Sequence, residues 1–471
     1  MFGTGMRIIP FLLLLCAFAS HAQLPETVLS ALKAENVAPE NVSVFVQRID
    51  ETQPLLSHQA AVSRNPASVM KLLTSYAALD LLGPSYRWKT QFYGLGYPKQ
   101  GVLDGGLWIK GSGDPTMNTA ALNEVASELK QKYNLNEICC DVALDQTAYA
   151  KQSFDAAAFD AKPYRAYNAP AEAIMLNQQA VRLHFSPSAN GLVTVIYPQW
   201  KTLIKNIDVK LTDADCGDWK NALKIKREGQ TLTVQGSFPK SCGDKYIDIN
   251  WLDGGDYFGN VLASAWEDVG GRWLKKSAFT IKAASVPQNA VLLTEHASET
   301  LAEAMREMNK SSNNVIARSI YLSLSRAGDE TQIATTAKSE QVLKAWLKNK
   351  GLIFPELVLE NGAGLSRVER ISAEHLGALL VSAYHSPVMP ELMASLPIYG
   401  VDGTLKSRKD SPLYGRAHLK TGSLDGVRTI AGYVLDAKGR RWVMVVLANG
   451  ENAGATKPAQ DALLTWIDQQ K

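Results

Sequence analysis

The sequence predicts an α/β (α+β) protein, in which an antiparallel sheet with helices is split by a large β-rich insertion of two small domains. Both ends of the chain combine helical patterns with alternating strand patterns, whereas residues 88 to about 287 are dominated by strand and turn signals. Helical patterns return from residue 296. We therefore expect the two ends to share one sheet, with helices packed on it.

The first element has the features of a targeting segment. Arg7 precedes the apolar run "IIPFLLLLCAFA", which is followed by "SHA" and then Gln23. This order is typical of a secretory signal cleaved from the mature chain, here residues 1–22. A membrane anchor is the alternative, but the run is short for a span, and no later stretch is long and apolar enough. We expect a soluble protein exported to the periplasm.

The elements at the two ends follow from their patterns. A helix is predicted at "LPETVLSALKAEN", a strand at "NVSVFVQRID" and its short partner at "PLLSHQA". Near the other end, "RTIAGYVLD" and "RRWVMVVLAN" flank the turn "AKG" and predict a hairpin, followed by a final helix. The predicted main domain covers residues 23–87 and 288–471. One inserted domain covers 88–112 and 191–287, and the other covers 113–190.

The composition excludes some classes of function. Of the 471 residues, 46% are hydrophobic and 20% are charged, which is typical of a globular protein. The net charge is only +3 and there is no long basic run, so nucleic acid is not an expected partner. The seven histidines show no spacing such as H-E-x-x-H, and we expect neither a metal nor a cofactor.

Four cysteines follow the signal segment, and export makes disulfides possible. The stretch "LKIKREGQTLTVQGSFP" predicts a hairpin that turns at Glu228-Gly229. Cys216 and Cys242 lie at equal sequence distances from Gly229, so they should face each other and form a bridge. Cys139 and Cys140 are neighbours, and we expect two buried thiols rather than a bond between them.

The stretch "NPASVMKLLTSYAALDLLG" predicts a buried helix with Lys71 three residues after Ser68. Residues i and i+3 share a helix face, so Lys71 can bring its amine to Ser68 Oγ, and burial favours a neutral lysine that can act as a base. An ordinary helix surface is the alternative, because the S-x-x-K spacing alone is a weak signal. The same spacing recurs at Ser30 with Lys33 and at Ser127 with Lys130.

Two further motifs follow in order along the chain. "NKSSNNVIAR" places Ser312 and Asn314 near the start of a helix, where capping is the simpler explanation and the pair Ser311 and Asn313 shares the spacing. "HLKTGSLDGVRTIAGYV" contains the only Lys420-Thr421-Gly422, which could also be a plain loop before a strand. Gly422 has no side chain, so a strand edge there can approach a ligand closely.

In this order the three motifs form the set found in penicillin-binding proteins and serine β-lactamases. "GSGDPTM", "YNAPAEAIMLN", "ENGAGLSR" and "LPIYGVDGTLKSR" also resemble the D-alanyl-D-alanine carboxypeptidase/endopeptidases of the penicillin-binding protein 4 type (low-molecular-mass class C) over nearly the whole mature chain. The resemblance implies a penicillin-binding/β-lactamase-like fold and the register Ser312-Asn313-Asn314. Asn313 replaces the family's usual Asp, and Ala363 replaces a common Ser; neither side chain is expected to carry chemistry.

The resemblance implies a separate chemical role for each residue of the site. Ser68 would attack the carbonyl between two D-alanines and form an acyl-enzyme, with Lys71 as the general base. Ser312 would relay a proton to the leaving D-alanine, and which of Lys71 and Ser312 is the working base stays open. Asn314 would hold the substrate amide and help position Lys71.

The remaining implied roles concern the substrate. Lys420 and Thr421 would bind its terminal carboxylate, and the backbone N–H groups of Ser68 and Ser423 would form the oxyanion hole. Asp160 and Tyr164 are candidate contacts for the amine-bearing side chain of the substrate.

The implied function is a serine-type D-Ala-D-Ala carboxypeptidase, and also a DD-endopeptidase, that acts on peptidoglycan peptides and binds β-lactam antibiotics covalently. Peripheral membrane association and the oligomeric state stay open. A serine β-lactamase is one alternative, although no E-x-x-L-N-type element lies between the first two motifs. A catalytically silent peptidoglycan-binding protein is the other.

Overall fold

A computed structural model describes residues 23–151, 154–229, 231–274, 281–409 and 411–470. The predicted signal segment, residues 1–22, lies outside these residues. Within the described ranges, no helix has the length and apolar character needed to cross a membrane.

The helices of the described residues, in chain order, are α1 Glu26–Ala34, α2 Lys71–Leu81, α3 Thr119–Tyr133, α4 Gly254–Asp268, α5 Leu301–Ser311, α6 Asn314–Leu324, α7 Thr336–Asn349, α8 Ala373–Tyr384, α9 Met389–Ser395 and α10 Lys457–Asp468.

The strands of the described residues are β1 Val42–Arg48, β2 Leu56–His58, β3 Lys89–Gly94, β4 Val102–Leu103, β5 Leu107–Gly111, β6 Glu137–Ile138, β7 Val142–Asp145, β8 Val181–Ser188, β9 Gly191–Tyr197, β10 Ile204–Thr212, β11 Leu223–Glu228, β12 Thr231–Pro239, β13 Lys245–Ile249, β14 Arg272–Trp273, β15 Ile281–Ala283, β16 Val291–Ala297, β17 Ala417–Leu424, β18 Val427–Leu435 and β19 Arg441–Asn449.

The two chain ends share an antiparallel sheet with the strand order β17-β18-β19-β1-β2, as the sequence predicts. Alternate residues of β1 face opposite sides, so Val44 and Val46 pack in a core with α1 and α10. Phe45 packs in a second core with α2, α5, α6 and α8. Both faces of the sheet are therefore covered by helices, which explains why β1 and β19 are buried at nearly every position.

Helix α2 lies in the centre of the second core. Its residues 71–79 are all buried, and the ring of Tyr76 meets that of Trp346 edge-on at 4.9 Å. A helix that is surrounded on all sides can be apolar around its whole circumference. Lys71 is the first residue of this helix, and its amine is therefore buried inside the protein.

The inserted strands form four further sheets around one hydrophobic core, in the orders β15-β7-β5-β3-β16, β13-β8-β9, β10-β12-β11 and β14-β6-β4. The predicted hairpins are present as β8–β9 and β11–β12. The sheets cross the predicted boundaries at 112/113 and 190/191, because β5 pairs with β7 and β8 pairs with β9. The division into two inserted domains stays a prediction.

Both cysteine pairs form disulfides. Cys216 and Cys242 are joined beside the β11–β12 hairpin, with their Cα atoms 4.7 Å apart, as the equal spacing predicts. The expectation of two buried thiols at Cys139 and Cys140 is wrong, because these neighbours are joined to each other. They are only half-buried and lie between β6 and β7, where Cys140 takes a left-handed φ of 77°.

Candidate active site

Ser68 lies in a single 3-10 turn, Ala67–Met70, that leads into α2. Asn65 fixes the entry to this turn, because its Oδ1 accepts a hydrogen bond from Ala67 N at 2.9 Å and its Nδ2 donates to Ser366 O at 2.8 Å. The turn carries Ser68 onto the same side as Lys71, whose Nζ lies 3.1 Å from Ser68 Oγ. The structure therefore brings together the pair predicted from the S-x-x-K spacing.

Lys71 is fully buried and has two other partners. Its Nζ donates to Asn314 Oδ1 at 2.7 Å and to Ala363 O at 2.5 Å. Burial, and then the positive charges of Lys420 and Arg318, hold the pKa of Lys71 well below its usual value. A neutral amine has two N–H groups for the two carbonyl oxygens and one lone pair left for the Ser68 hydroxyl, so it matches this set of partners.

The segment "ENGAGLSR" supplies the Ala363 carbonyl from a loop ordered by one buried carboxylate. Glu369 Oε1 accepts hydrogen bonds from the backbone N–H groups of Glu360, Asn361 and Gly362, at 3.1, 2.9 and 3.0 Å. Thr74 Oγ1 of α2 donates to Gly362 O at 2.7 Å. The motifs in the sequence concern only the side chain of Ala363, so this role of its backbone carbonyl could not be predicted from them.

Ser312 and Lys420 form a second pair. Ser312 takes a left-handed φ of 61° between α5 and α6, and this projects its hydroxyl out of both helices. Lys420 Nζ of β17 donates to Ser312 Oγ at 2.8 Å and to Thr421 O at 2.7 Å. Complete burial lowers the pKa of Lys420 to about 7. The second and third motifs therefore meet across the same site.

The edge strand β17 lies directly against the Ser68 turn. A Cβ added to Gly422 would come within 2.8 Å of Ser68 N, so only glycine permits this approach. Thr429 Oγ1 of β18 donates to Pro66 O at 2.8 Å and ties the sheet to the turn. Ser423, the next residue of β17, is exposed.

These elements enclose a cleft of about 290 Å³ lined by Ser68, Ser312, Thr404, Arg408, Thr421, Gly422, Ser423, Arg428 and Thr429. Sequence reasoning missed Thr404, Arg408 and Arg428 as lining residues. The first two lie in "LPIYGVDGTLKSR" and the third lies in "DGVRT". For the two arginines, the available signal was a charged residue inside or beside a stretch that resembles the family.

The insertion contacts the site through the backbone of the stretch "YNAP", residues 167–170. Asn314 Nδ2 donates to Tyr167 O at 3.3 Å, and Arg318 donates to the same oxygen at 3.3 Å and to Ala169 O at 2.6 Å. Asp160 accepts a hydrogen bond from the Tyr167 hydroxyl at 2.7 Å. Asp160 is therefore linked to Asn314 only through Tyr167, and it is not among the residues that line the cleft.

Tyr164 is not brought to the cleft. Its side chain packs against the core of the insertion, and its carbonyl accepts a hydrogen bond from Asn250 N at 3.0 Å. The stray S-x-x-K serines belong to helix surfaces, where Ser30 Oγ approaches Glu26 and Ser127 Oγ donates to Asn123 O. Among the described residues, no cluster of His, Cys, Asp or Glu could hold a metal.

A serine next to a buried lysine and faced by a second serine–lysine pair, between a helix and the edge of an antiparallel sheet, defines a serine-type acyl-transfer enzyme of the penicillin-binding class. The chain belongs to the D-Ala-D-Ala carboxypeptidase 3 (S13) family, whose model matches residues 24–470. It is therefore a serine-type D-Ala-D-Ala carboxypeptidase, and the family predicted from the motifs is confirmed.

Curated relatives and solved structures agree with this assignment. The chain is 23% identical over 423 residues to D-alanyl-D-alanine carboxypeptidase DacB of Haemophilus influenzae, covering 88% of this chain and 86% of the relative. It is 27% identical over 434 residues to D-alanyl-D-alanine carboxypeptidase of Actinomadura sp. (strain R39), covering 87% and 78%.

The fold is similar to two solved structures, which confirms the predicted fold class. The crystal structure of penicillin-binding protein 4 (dacB) from H. influenzae has a TM-score of 0.77 and 22% identity, covering 94% of this chain and 99% of that one. Bd3459, a predatory peptidoglycan endopeptidase from Bdellovibrio bacteriovorus, has a TM-score of 0.52 and 15% identity, covering 91% of each chain.

Proposed function

We propose that Ser68 is the nucleophile with which this carboxypeptidase removes terminal D-alanine from peptidoglycan stem peptides in the periplasm, and that the same site opens peptide cross-links. The observation that carries the proposal is the 3.1 Å contact between Lys71 Nζ and Ser68 Oγ, made by a lysine whose other donors are already used. A serine hydroxyl needs such a base, because it is a weak nucleophile at its own pKa.

In the acylation step, the Ser68 proton passes to Lys71 while Oγ bonds to the carbonyl carbon between the two D-alanines. The developing oxyanion is held by the backbone N–H groups of Ser68 and Ser423. Support for this pairing comes from the close approach of Gly422 to Ser68 N, which puts the β17 edge beside the turn.

The leaving D-alanine nitrogen takes a proton as its bond to the acyl carbon breaks. Ser312 is the proposed donor, and it is resupplied through Lys420 at 2.8 Å. Water then attacks the acyl-enzyme, and Ser68 recovers its proton. Replacement of Lys71 by Arg distinguishes Lys71 from the Ser312–Lys420 pair as the working base.

Asn314 would hold the substrate amide, and Thr421 with Lys420 would face the terminal carboxylate. Asp160 remains a proposed contact for the amine-bearing side chain of the substrate, since Tyr167 links it to Asn314. Tyr164 has less support because its side chain packs in the core of the insertion.

β-Lactams are proposed covalent ligands, because their strained amide presents the same carbonyl to Ser68. Penicillin-binding protein 4 of H. influenzae has been crystallised with a β-lactam. Bd3459 is described as a peptidoglycan endopeptidase, and this supports the proposal that the present protein also cleaves cross-links. Such cleavage requires room for a second peptide strand. The insertion borders the site at Tyr167 and can wall such a groove.

The first test replaces Ser68 by Ala and measures labelling by a fluorescent penicillin and release of D-alanine from a pentapeptide. Both should be lost while the thermal unfolding temperature is retained. Ser127→Ala is the matched control, because Ser127 has the same spacing to Lys130 and should leave both activities intact. Persistent labelling of the Ser68 variant would refute the assignment.

The second test digests purified sacculi and follows cross-linked dimers by chromatography. Loss of dimers together with release of D-alanine supports both activities. Persistence of dimers at high enzyme concentration, while monomers are trimmed, would refute the endopeptidase activity alone. Rapid, sustained turnover of nitrocefin would instead point to a β-lactamase.

A further inference from the structure

Two cationic side chains line the cleft, Arg408 and Arg428, and a third, Lys420 of β17, is fully buried beside it. Arg408 and Lys420 already have hydrogen-bond partners within the protein. Arg408 is 8% exposed, and its guanidinium donates to Asp461 Oδ1 at 2.7 Å and to Gln460 Oε1 at 2.8 Å. Lys420 donates to Ser312 Oγ and to Thr421 O. Both cations therefore already have part of their donors engaged by protein acceptors.

Arg428 is different. Its only hydrogen-bond partner among the described residues is Gly454 O, 3.3 Å from Nε, so both terminal nitrogens are unpaired. The side chain is half-buried, and its pKa is lowered by burial and by the like charge of Arg408, with no acidic group opposing the shift. Keeping a guanidinium partly removed from water beside a like charge costs free energy unless an anion binds to it.

The position of Arg428 fits one particular anion. In the antiparallel pair β17–β18, Arg428 lies directly opposite Ser423, so the two side chains share a face of the sheet. Thr421, two residues before Ser423, is on the same face, and its hydroxyl lies 2.7 Å from that of Thr404. A guanidinium and three hydroxyls therefore line the same wall of the cleft that holds Ser68.

We propose that Arg428 binds the α-carboxylate of the leaving D-alanine, with the hydroxyls of Thr421 and Ser423 as neutral partners. The inference rests on the proposed function of Ser68 and changes the role given to Lys420, which then serves Ser312 and proton transfer. A planar guanidinium can meet a carboxylate with two parallel N–H···O bonds, which a lysine cannot do.

The proposal predicts how recognition depends on pH. A guanidinium keeps its charge throughout the range in which enzymes work, whereas an amine with a pKa near 7, such as that of Lys420, loses it. Preference for a carboxylate substrate should therefore persist from pH 6 to pH 9 in the wild-type enzyme.

The experiment compares a synthetic peptide ending in D-Ala-D-Ala with the same peptide ending in D-Ala-D-Ala amide. For Arg428→Ala we expect kcat/KM to fall by about 10- to 100-fold on the acid, mainly through KM, and much less on the amide. Arg428→Lys should restore part of the loss. Arg367→Ala is the control, because Arg367 is an exposed arginine whose nearest acid is Asp425 at 3.8 Å.

Equal losses on the acid and the amide would overturn the proposal, because they would indicate a general structural defect. A preference for the acid that disappears above pH 7 and is unchanged in Arg428→Ala would assign the carboxylate to Lys420. Failure of the proposed nucleophile looks different, since the Ser68→Ala variant would then retain both penicillin labelling and D-alanine release.

Discussion

At the scale of single residues, the burial of two lysines determines how the site depends on pH. Lys71 and Lys420 are both completely buried, and neither forms an ion pair with a carboxylate among the described residues. Burial without a counter-charge disfavours the ammonium form. The same burial that suits Lys71 to its proposed role as a base therefore costs stability wherever the pH forces protons onto these groups.

Replacing Lys71 by Arg should remove acylation while leaving the fold intact. Arginine keeps a positive charge and a donor near Ser68 but cannot give up its proton, so it cannot serve as a base. We expect the rate of penicillin labelling to fall by about 100- to 10,000-fold. The matched control is Lys33→Arg, at an exposed S-x-x-K lysine, which should label like the wild type. Near-normal labelling of Lys71→Arg would exclude Lys71 as the base.

Lys420 links the site to stability. Its pKa is lowered from 10.5 to about 7, so between these values the unfolded chain binds more protons than the folded one. The free energy of unfolding of the wild type therefore rises with pH over this interval. Lys420→Met lacks this contribution, and its unfolding temperature relative to the wild type should be most favourable at pH 7 and decline toward pH 9.

Thermal scans at pH 7, 8 and 9 measure this trend, and the two lost hydrogen bonds to Ser312 and Thr421 only add a constant offset. Lys33→Met, at an exposed position of α1, serves as the control, for which we expect a flat difference. A flat difference for Lys420→Met as well would contradict the proposed cost of burying this ammonium.

At the scale of elements, the junction between α5 and α6 fixes the second motif. Asn313 is the N-cap of α6, and its Oδ1 accepts hydrogen bonds from Val315 N at 2.9 Å and Ile316 N at 3.1 Å. Its Nδ2 donates to Gln178 Oε1 of the insertion at 2.7 Å. The residue that departs from the family pattern thus has a local structural use, and its neighbours Ser312 and Asn314 face the site.

Asn313→Asp and Asn313→Ala separate these two uses. Aspartate keeps the cap and suits a helix N-terminus, so we expect stability and D-alanine release close to the wild type. Alanine loses the cap, and we expect a loss of about 1 kcal/mol in stability together with slower D-alanine release. Thermal unfolding and release assays measure both effects. If Asp impaired release as strongly as Ala, the amide contact to Gln178 would be the more important one.

At the scale of the whole molecule, the sequence predicts what is encoded in short distances along the chain. One helical turn pairs Ser68 with Lys71, one hairpin pairs Cys216 with Cys242, and the alternation in β1 predicts its place in the sheet. Arg318 and Glu369 were missed, because packing brings them to Lys71 from about 250 and 300 residues away in the sequence. Such contacts leave no local spacing that could be recognised.

The same limit applies to the insertion. Its strands pair across both predicted boundaries, because neighbours in its sheets are often distant in sequence, as with β7 and β15 or β8 and β13. The bond between Cys139 and Cys140 depends on the local turn, which composition alone does not reveal. Motif order predicts the site well, whereas the surroundings that tune the site depend on the complete fold.

Two buried arginines connect the insertion to the main domain, and they provide a matched pair for testing its role. Arg318 donates to Tyr167 O and Ala169 O beside the site, whereas Arg326 donates to Ala148 O at 3.1 Å farther along the same connection. Both side chains are 8% exposed, so each substitution removes a comparable anchor. Of these two arginines, Arg318 is the one whose charge lowers the pKa of Lys71.

We therefore expect Arg318→Ala to raise the pKa of Lys71, and the rise of the acylation rate with pH should move to higher pH. Cleavage of cross-linked dimers should also fall, because Tyr167 loses one of the two donors that hold it next to Asn314. Arg326→Ala should lower the unfolding temperature but leave the pH profile in place. The measurements are penicillin labelling rates from pH 6 to pH 9 and dimer digestion for both variants. Identical profiles for the two would show that the insertion anchors the protein without tuning its active site.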